Sequence, residues 1–255
     1  MISIPSAAAS PAPRLDRPRL RAERPRTERN PGESTLPSSD AVAVYFLHRR
    51  SLKNDQPTGF EAICLRQVAR QPPMGLLMQY VLQHPGLMPH EVLSVSLPEE
   101  LTRSDRLIGA VGSALATMGF PGHRLELILP ETMLVDLDAD GLLALSALRD
   151  LGVGLCVDAF GAGVTSLTLL RRLPLTSIKL ARTLVRGLPI DREDAAIAKA
   201  AIATAQTMGL SVVADGVETE QQRAFLAHCG CDEGQGPLFG APLRFPPQHR
   251  MAFTA

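Results

Sequence analysis

From Ala41 onward, apolar positions alternate between short runs and stretches in which they recur every three or four residues. The runs at 41–47, 60–65, 92–97, 125–129, 154–157, 177–180 and 211–214 predict strands. Several are apolar at nearly every position, as in parallel strands covered on both faces. The stretches between them predict helices with readable ends. Leu107, Val111, Leu115 and Met118 form a stripe that Gly119 closes. Asp138 caps a helix carrying Leu142, Leu145 and Leu148, which Gly152 stops. Ile197, Ala201, Ala205 and Met208 make a further stripe ended by Gly209, and Thr219 with Gln222 fits a capping box for a helix running to His228. Such repeated alternation predicts a parallel sheet, with a (β/α) barrel as the economical closure at this length. A doubly wound open sheet fits the pattern as well.

Residues 1–39 break the pattern. Seven prolines and seven arginines fall between Pro5 and Pro37, with almost no large apolar side chains. Such a segment cannot bury enough surface to offset the entropy of ordering, so a disordered arm is expected. Its arginines alternate with Asp16, Glu23, Glu28 and Glu33 and no aromatic is interleaved, which favours a solvated tail over a nucleic-acid contact. The expected domains are therefore this arm over 1–39 and a barrel over 40–255. A formal net charge of zero implies no general attraction to nucleic acid or anionic membrane. No apolar run approaches the ~20 residues that span a bilayer, and the first residues lack the basic and apolar regions of a signal peptide. Four cysteines at irregular spacing suit a reducing compartment, with the cytoplasm as the expected location.

In a barrel, functional side chains project from the carboxyl ends of strands. Those positions read Glu61, Ser94, Asp158, Lys179, Asp215 and Gln235. Carboxylates converging from several strands beside a lysine suit hard cations and phosphate oxygens. Ordinary strand-terminal polar residues facing solvent would give the same list. Cys229 and Cys231 lack a second pair and read as structural, and the six histidines show no i, i+4 pairing and are assigned no catalytic role.

The words along the chain resemble those of the EAL family, the hydrolases of cyclic di-GMP. Val157-Asp158-Ala159-Phe160-Gly161-Ala162-Gly163, Ser166-Leu167, Leu173-Pro174 and Ile178-Lys179 are similar to its DDFGTG…SSL…LP…KID stretch. Val213-Ala214-Asp215-Gly216-Val217-Glu218-Thr219 resembles AEGVET, and the segment from Gly230 to Gly240 resembles GCDxxQGYLFG. Gly59-Phe60-Glu61-Ala62-Ile63 resembles the strand that carries the name-giving Glu-Ala-Leu. The resemblance implies a modified TIM barrel whose first strand runs against the others. It also implies two divalent cations, magnesium or manganese, held by carboxylates and an asparagine to activate the attacking water.

Position by position, the resemblance keeps Glu61, Asp158, Lys179 and Gln235 and shortens the next glutamate to Asp215. The asparagine falls on Ser94, a further glutamate on Ile128, the second aspartate on Ala159, and the aspartate after the lysine on Ala181. Glu126 shares a strand face with Ile128 but lies roughly 7 Å away along the strand. The family's arginine after the name-giving glutamate is Leu65 here, with Arg66 one step on and turned to the other face. The segment from Glu61 to Ser94 is shorter than the family's, so part of the nucleotide wall between the second and third strands is expected to be missing.

Glu61 and Asp158 are thus remnant metal positions expected to stay unoccupied, no cofactor is expected, and Lys179 and Asp215 are remnants of the catalytic set. The resulting expectation is a catalytically inactive regulatory module that meets a protein partner in cyclic di-GMP signalling. The alternatives are a metal-independent cyclic di-GMP receptor using Asp158, Phe160, Gly161, Asp215, Gln235 and Phe239, and a residual phosphodiesterase. The loop Phe160–Gly163 reads as a tight turn, which the resemblance links to a homodimer interface.

Overall fold

The computed structural model describes residues 44–64, 91–97, 106–135, 137–163 and 167–244. The expected arm, Arg66 and the shortened wall beyond Cys64 lie outside these residues.

The described residues begin with a hairpin, β1 (Val44–Ser51) and β2 (Pro57–Cys64), joined by a turn at 52–56. A connection this short can only join antiparallel strands, because a parallel crossover needs a dozen residues or more. There follow β3 (Val92–Ser96), α1 (Arg106–Met118), β4 (Leu125–Leu129), α2 (Glu131–Val135), α3 (Ala139–Asp150) and β5 (Gly154–Phe160). After α4 (Leu167–Leu170) come β6 (Ser177–Leu180), α5 (Arg182–Gly187), α6 (Arg192–Thr207), β7 (Ser211–Asp215) and α7 (Glu220–His228). The last strands among the described residues are β8 (Glu233–Gln235) and β9 (Leu243–Arg244). Strands β2 to β8 pair in chain order and in parallel, and β1 closes the barrel antiparallel to both β2 and β8. The upstream half of β1 pairs with β9 (Tyr45 with Arg244) and its downstream half with β8 (Arg49 with Gln235). The barrel is closed, with the reversed first strand that the motifs imply.

Side chains alternate between two environments along each strand. Leu125, Leu127 and Leu129 of β4, Leu155 and Val157 of β5, and Ile178 and Leu180 of β6 join one apolar cluster with Leu145, Leu148, Ile202 and Leu226 of the helices. Burying each such leucine stabilises the fold by about 1.5–3 kcal/mol, so this outer annulus carries most of the hydrophobic stabilisation. The intervening positions fill the interior, where Ile128, Cys156 and Val213 accompany Glu61, Ser94, Glu126, Ser177, Lys179 and Gln235, all of them buried.

Helix ends follow from local chemistry. Asp138 accepts the Gly141 amide at 2.8 Å, and Thr219 and Gln222 form the reciprocal capping box. Asp191 caps α6 through the amides of Glu193 and Asp194. The α6 stripe needs correction: Ala198, Ala201, Ile202 and Ala205 are its buried residues, whereas Ile197 is 44% exposed. Strands β8 and β9 add to the predicted set; they have three and two residues and show no apolar run. The first strand runs on through Arg49 and Arg50 instead of stopping at Leu47, because Arg49 is buried and paired. Among the described residues no helix is long and apolar enough to cross a membrane.

Candidate functional site

Inward-facing parity on adjacent parallel strands brings Glu61 (β2), Asp158 (β5), Lys179 (β6), Asp215 (β7) and Gln235 (β8) to the carboxyl ends of the barrel. The Lys179 ammonium lies 3.1 Å from both oxygens of Glu61 and 3.1 Å from Asp158 Oδ1. The Gln235 amide donates to Glu61 Oε2 and, at 3.0 Å, to Asp215 Oδ1. Arg182, at the start of α5, stands 3.6 Å from the same Asp215 oxygen. Burial disfavours the Lys179 charge, but the carboxylates of Glu61, Asp158 and Asp215 outweigh it and raise its pKa above the ordinary lysine value. Lys179 is a fixed cation at any working pH.

Ser94 does not join this cluster, which corrects the expectation of six convergent groups. It sits in a second polar layer inside the barrel, centred on Arg49. The Arg49 guanidinium donates to Ser94 Oγ at 2.5 Å, to Glu126 Oε2, and through Nε to Glu233 Oε2 at 2.9 Å. Ser94 and Ser177 each donate to the Glu126 carboxylate at 2.7 Å, and Thr58 donates to Glu233 at 2.8 Å. Burial alone would raise the Glu126 pKa; the Arg49 charge and the two hydroxyls overcome it and hold the carboxyl below its ordinary value. A depressed folded-state pKa means that this carboxylate stabilises the fold above the ordinary carboxylate range and stops doing so as pH falls through the lower folded value. Unfolding stability measured from pH 6 down to pH 3 should therefore fall for the native chain and fall less steeply for Glu126→Gln.

Neither layer fits a pair of divalent ions. At the mouth, Glu61 and Asp158 share one ammonium, Ile128 offers only an aliphatic branch, and Ser94 is engaged by Arg49 and Glu126. The β5–β6 register slips between Val157 and Phe160, and Ala159 in that bulge has φ +52° and faces solvent. Among the described residues there is no group of three or more His, Cys, Asp or Glu side chains that could hold a metal ion.

The remaining candidates are dispersed. Phe160 is packed in the apolar cluster. Gly161 is exposed at φ +94°, and a Cβ placed there would meet Leu184 and Ile197. The Phe239 ring packs on Gly234 of β8, where a Cβ would stand 3.0 Å from it. Three residues that the sequence reading did not assign to the site now belong to its surroundings. Arg49 and Glu233 carry no local signal, since Arg49 lies two residues past the last apolar position of the predicted β1 run and β8 is a Glu-Gly-Gln segment without an apolar pattern. Glu131 lies against the loop after β5, because a Cβ on Gly163 would fall 1.3 Å from its carboxylate.

Residues 75–242 match the EAL domain, a stretch that begins downstream of Arg49 and Glu61. The chain is 39% identical over 150 residues to the bifunctional diguanylate cyclase/cyclic di-GMP phosphodiesterase MucR of Pseudomonas aeruginosa, covering 58% of this chain and 22% of that one. It is 44% identical over 137 residues to the cyclic di-GMP phosphodiesterase NbdA of the same organism, covering 54% and 18%. The chain thus spans about a fifth of the length of these relatives. The solved MucR phosphodiesterase in complex with cyclic di-GMP superposes with a TM-score of 0.70 at 28% identity, over 79% of this chain and 96% of that one. A barrel closed by a reversed first strand, together with a family match over more than half of the sequence, places the chain in the EAL domain family.

Proposed function

We propose that this chain is an EAL domain that does not hydrolyse cyclic di-GMP and serves as a regulatory protein-interaction module in cyclic di-GMP signalling. The observation that carries this reading is the donor set at the barrel mouth. Glu61 is met by an ammonium and an amide, and positions 94, 128 and 159 supply a hydroxyl captured by Arg49 and Glu126, a sec-butyl branch and an exposed methyl. In-line displacement at a phosphodiester needs cations to make the nucleophile and to offset developing charge, and a site without the oxygens for them forfeits both.

Charge also favours the interaction role over that of a metal-free nucleotide receptor. Glu61, Asp158 and Asp215 face Lys179 and Arg182, which leaves one net negative charge where a doubly anionic dinucleotide would bind.

Two measurements test the reading. The purified chain with manganese or magnesium should leave cyclic di-GMP intact, and linear dinucleotide forming at a rate well above background would overturn non-hydrolysis. Calorimetric titration with cyclic di-GMP in chelator should give no heat of binding, whereas saturable heat would replace the interaction module by the receptor.

A further inference from the structure

The carboxylates at the barrel mouth are met by donors that a metal centre does not use. Lys179 presents its ammonium to both oxygens of Glu61 and to Asp158 Oδ1, each at 3.1 Å, which gives its three protons three carboxylate acceptors. Glu61 Oε2 also accepts from the Gln235 amide, and Asp215 Oδ1 accepts from the same nitrogen at 3.0 Å. Both neighbours of that nitrogen are carboxylates, which can only accept, so the amide is turned with its nitrogen to the acidic groups. The Gln235 oxygen is buried and has no hydrogen-bond partner among the described residues. A hard cation needs the reverse arrangement, because it coordinates an amide through oxygen.

We propose that the mouth is a self-contained ion cluster in which the Lys179 ammonium is the standing counter-ion of Glu61 and Asp158, so that it takes up not even a single divalent ion and meets whatever docks there independently of metal. The inference shares its site with the reading of a non-hydrolysing domain and goes further, because a chain that fails at hydrolysis can still hold one ion. An ion entering beside Glu61 has to detach the ammonium and turn the Gln235 amide about. The displaced Lys179, with a side chain only 6% exposed, is then left as an unpaired charge in the interior, which is strongly unfavourable. Little pulls the ion in against that cost. Glu61, Asp158 and Asp215 are offset by Lys179 and by Arg182, which stands 3.6 Å from Asp215, so the group carries one net negative charge.

The test follows the lysine ammonium itself in the full, unmodified chain. The sequence holds three lysines, Lys53, Lys179 and Lys199. Lys53 and Lys199 are exposed, and their ammonium protons exchange rapidly with water. A proton–nitrogen correlation spectrum tuned to ammonium groups should therefore show one slowly exchanging signal, that of Lys179. Its position and intensity should be the same in chelator, in millimolar magnesium and in millimolar calcium. A signal that either metal shifts or abolishes overturns the inference, and so does the lack of any slowly exchanging ammonium in chelator. The activity assay on the same samples separates this inference from the reading beneath it. Metal-dependent loss of the signal with cyclic di-GMP left intact removes the inference and spares the non-hydrolysing reading. Linear dinucleotide formed while the signal stays unmoved removes that reading and spares the inference.

Discussion

Lys179→Met should destabilise the barrel by roughly 3–5 kcal/mol, the cost of removing one partner from a buried ion pair. Methionine fills most of the space of the lysine stem, so the loss comes from charge rather than from a cavity. Glu61 would keep the Gln235 amide as its hydrogen-bond donor, and at 5% exposure it has little access to water. Its carboxyl must then take up a proton or pull water into the interior. Asp158 is half exposed and would be solvated, so it adds little to the cost. The companion variant Lys179→Met/Glu61→Leu removes both charges and should recover most of the loss, because a buried pair replaced by apolar residues of similar volume is often close to neutral. Chemical denaturation of the native chain, the two single variants and the double variant forms a complete cycle. A double variant that loses the sum of the two single losses would mean that Lys179 and Glu61 are not coupled in the folded chain.

The same two charges illustrate how far the sequence could be read. Strands β4 and β6 were legible to the residue, because apolar residues recur at every second position, Leu125, Leu127 and Leu129 in one and Ile178 and Leu180 in the other. The capping box at Thr219 and the cap at Asp138 were legible because the chemistry is local, with donor and acceptor three residues apart. Glu61, Asp158, Lys179, Asp215 and Gln235 could be picked out because the motifs around them are collinear with a known family and strand parity turns them inward. Arg49 was not legible as an interior residue. Its partners Ser94, Glu126 and Glu233 lie 45, 77 and 184 positions away, and only barrel closure brings them together. An arginine beside another arginine at a strand end reads as solvent-facing until its counter-ions are known. Ser94 was misplaced for the same reason: its position in a motif suggested the mouth, whereas its hydroxyl follows the nearest charged groups, which lie in the layer of Arg49. Strand β8 escaped because a Glu-Gly-Gln segment has no hydrophobic pattern, and its pairing with β7 and β1 is a property of the closed sheet.

Gly236→Ala should be the most damaging single-methyl change near the site, with a loss of roughly 3 kcal/mol or more. Gly236 follows Gln235 directly and has φ +145°, a conformation that L side chains rarely adopt. A Cβ there would stand 2.4 Å from the Val217 amide nitrogen, 2.5 Å from the Val217 carbonyl oxygen and 2.8 Å from the Gly216 carbonyl carbon. All three are backbone atoms, so no rotamer change relieves the contact. The turn after β7 would have to withdraw, and that turn is held to β8 by the amides of Gly216 and Val217, both donating to the Gln235 carbonyl at 2.9 Å. Displacing it moves Asp215 away from the Gln235 amide, so the damage should reach the site as well as the fold. Gly240 supplies the control. It too has positive φ, +114°, but a Cβ there meets nothing within 4 Å, so Gly240→Ala carries the backbone strain without the collision. Unfolding midpoints should rank native, Gly240→Ala, Gly236→Ala from most to least stable. Equal losses for the two variants would show that backbone strain, and not the approach of the β7 turn, is what position 236 relieves.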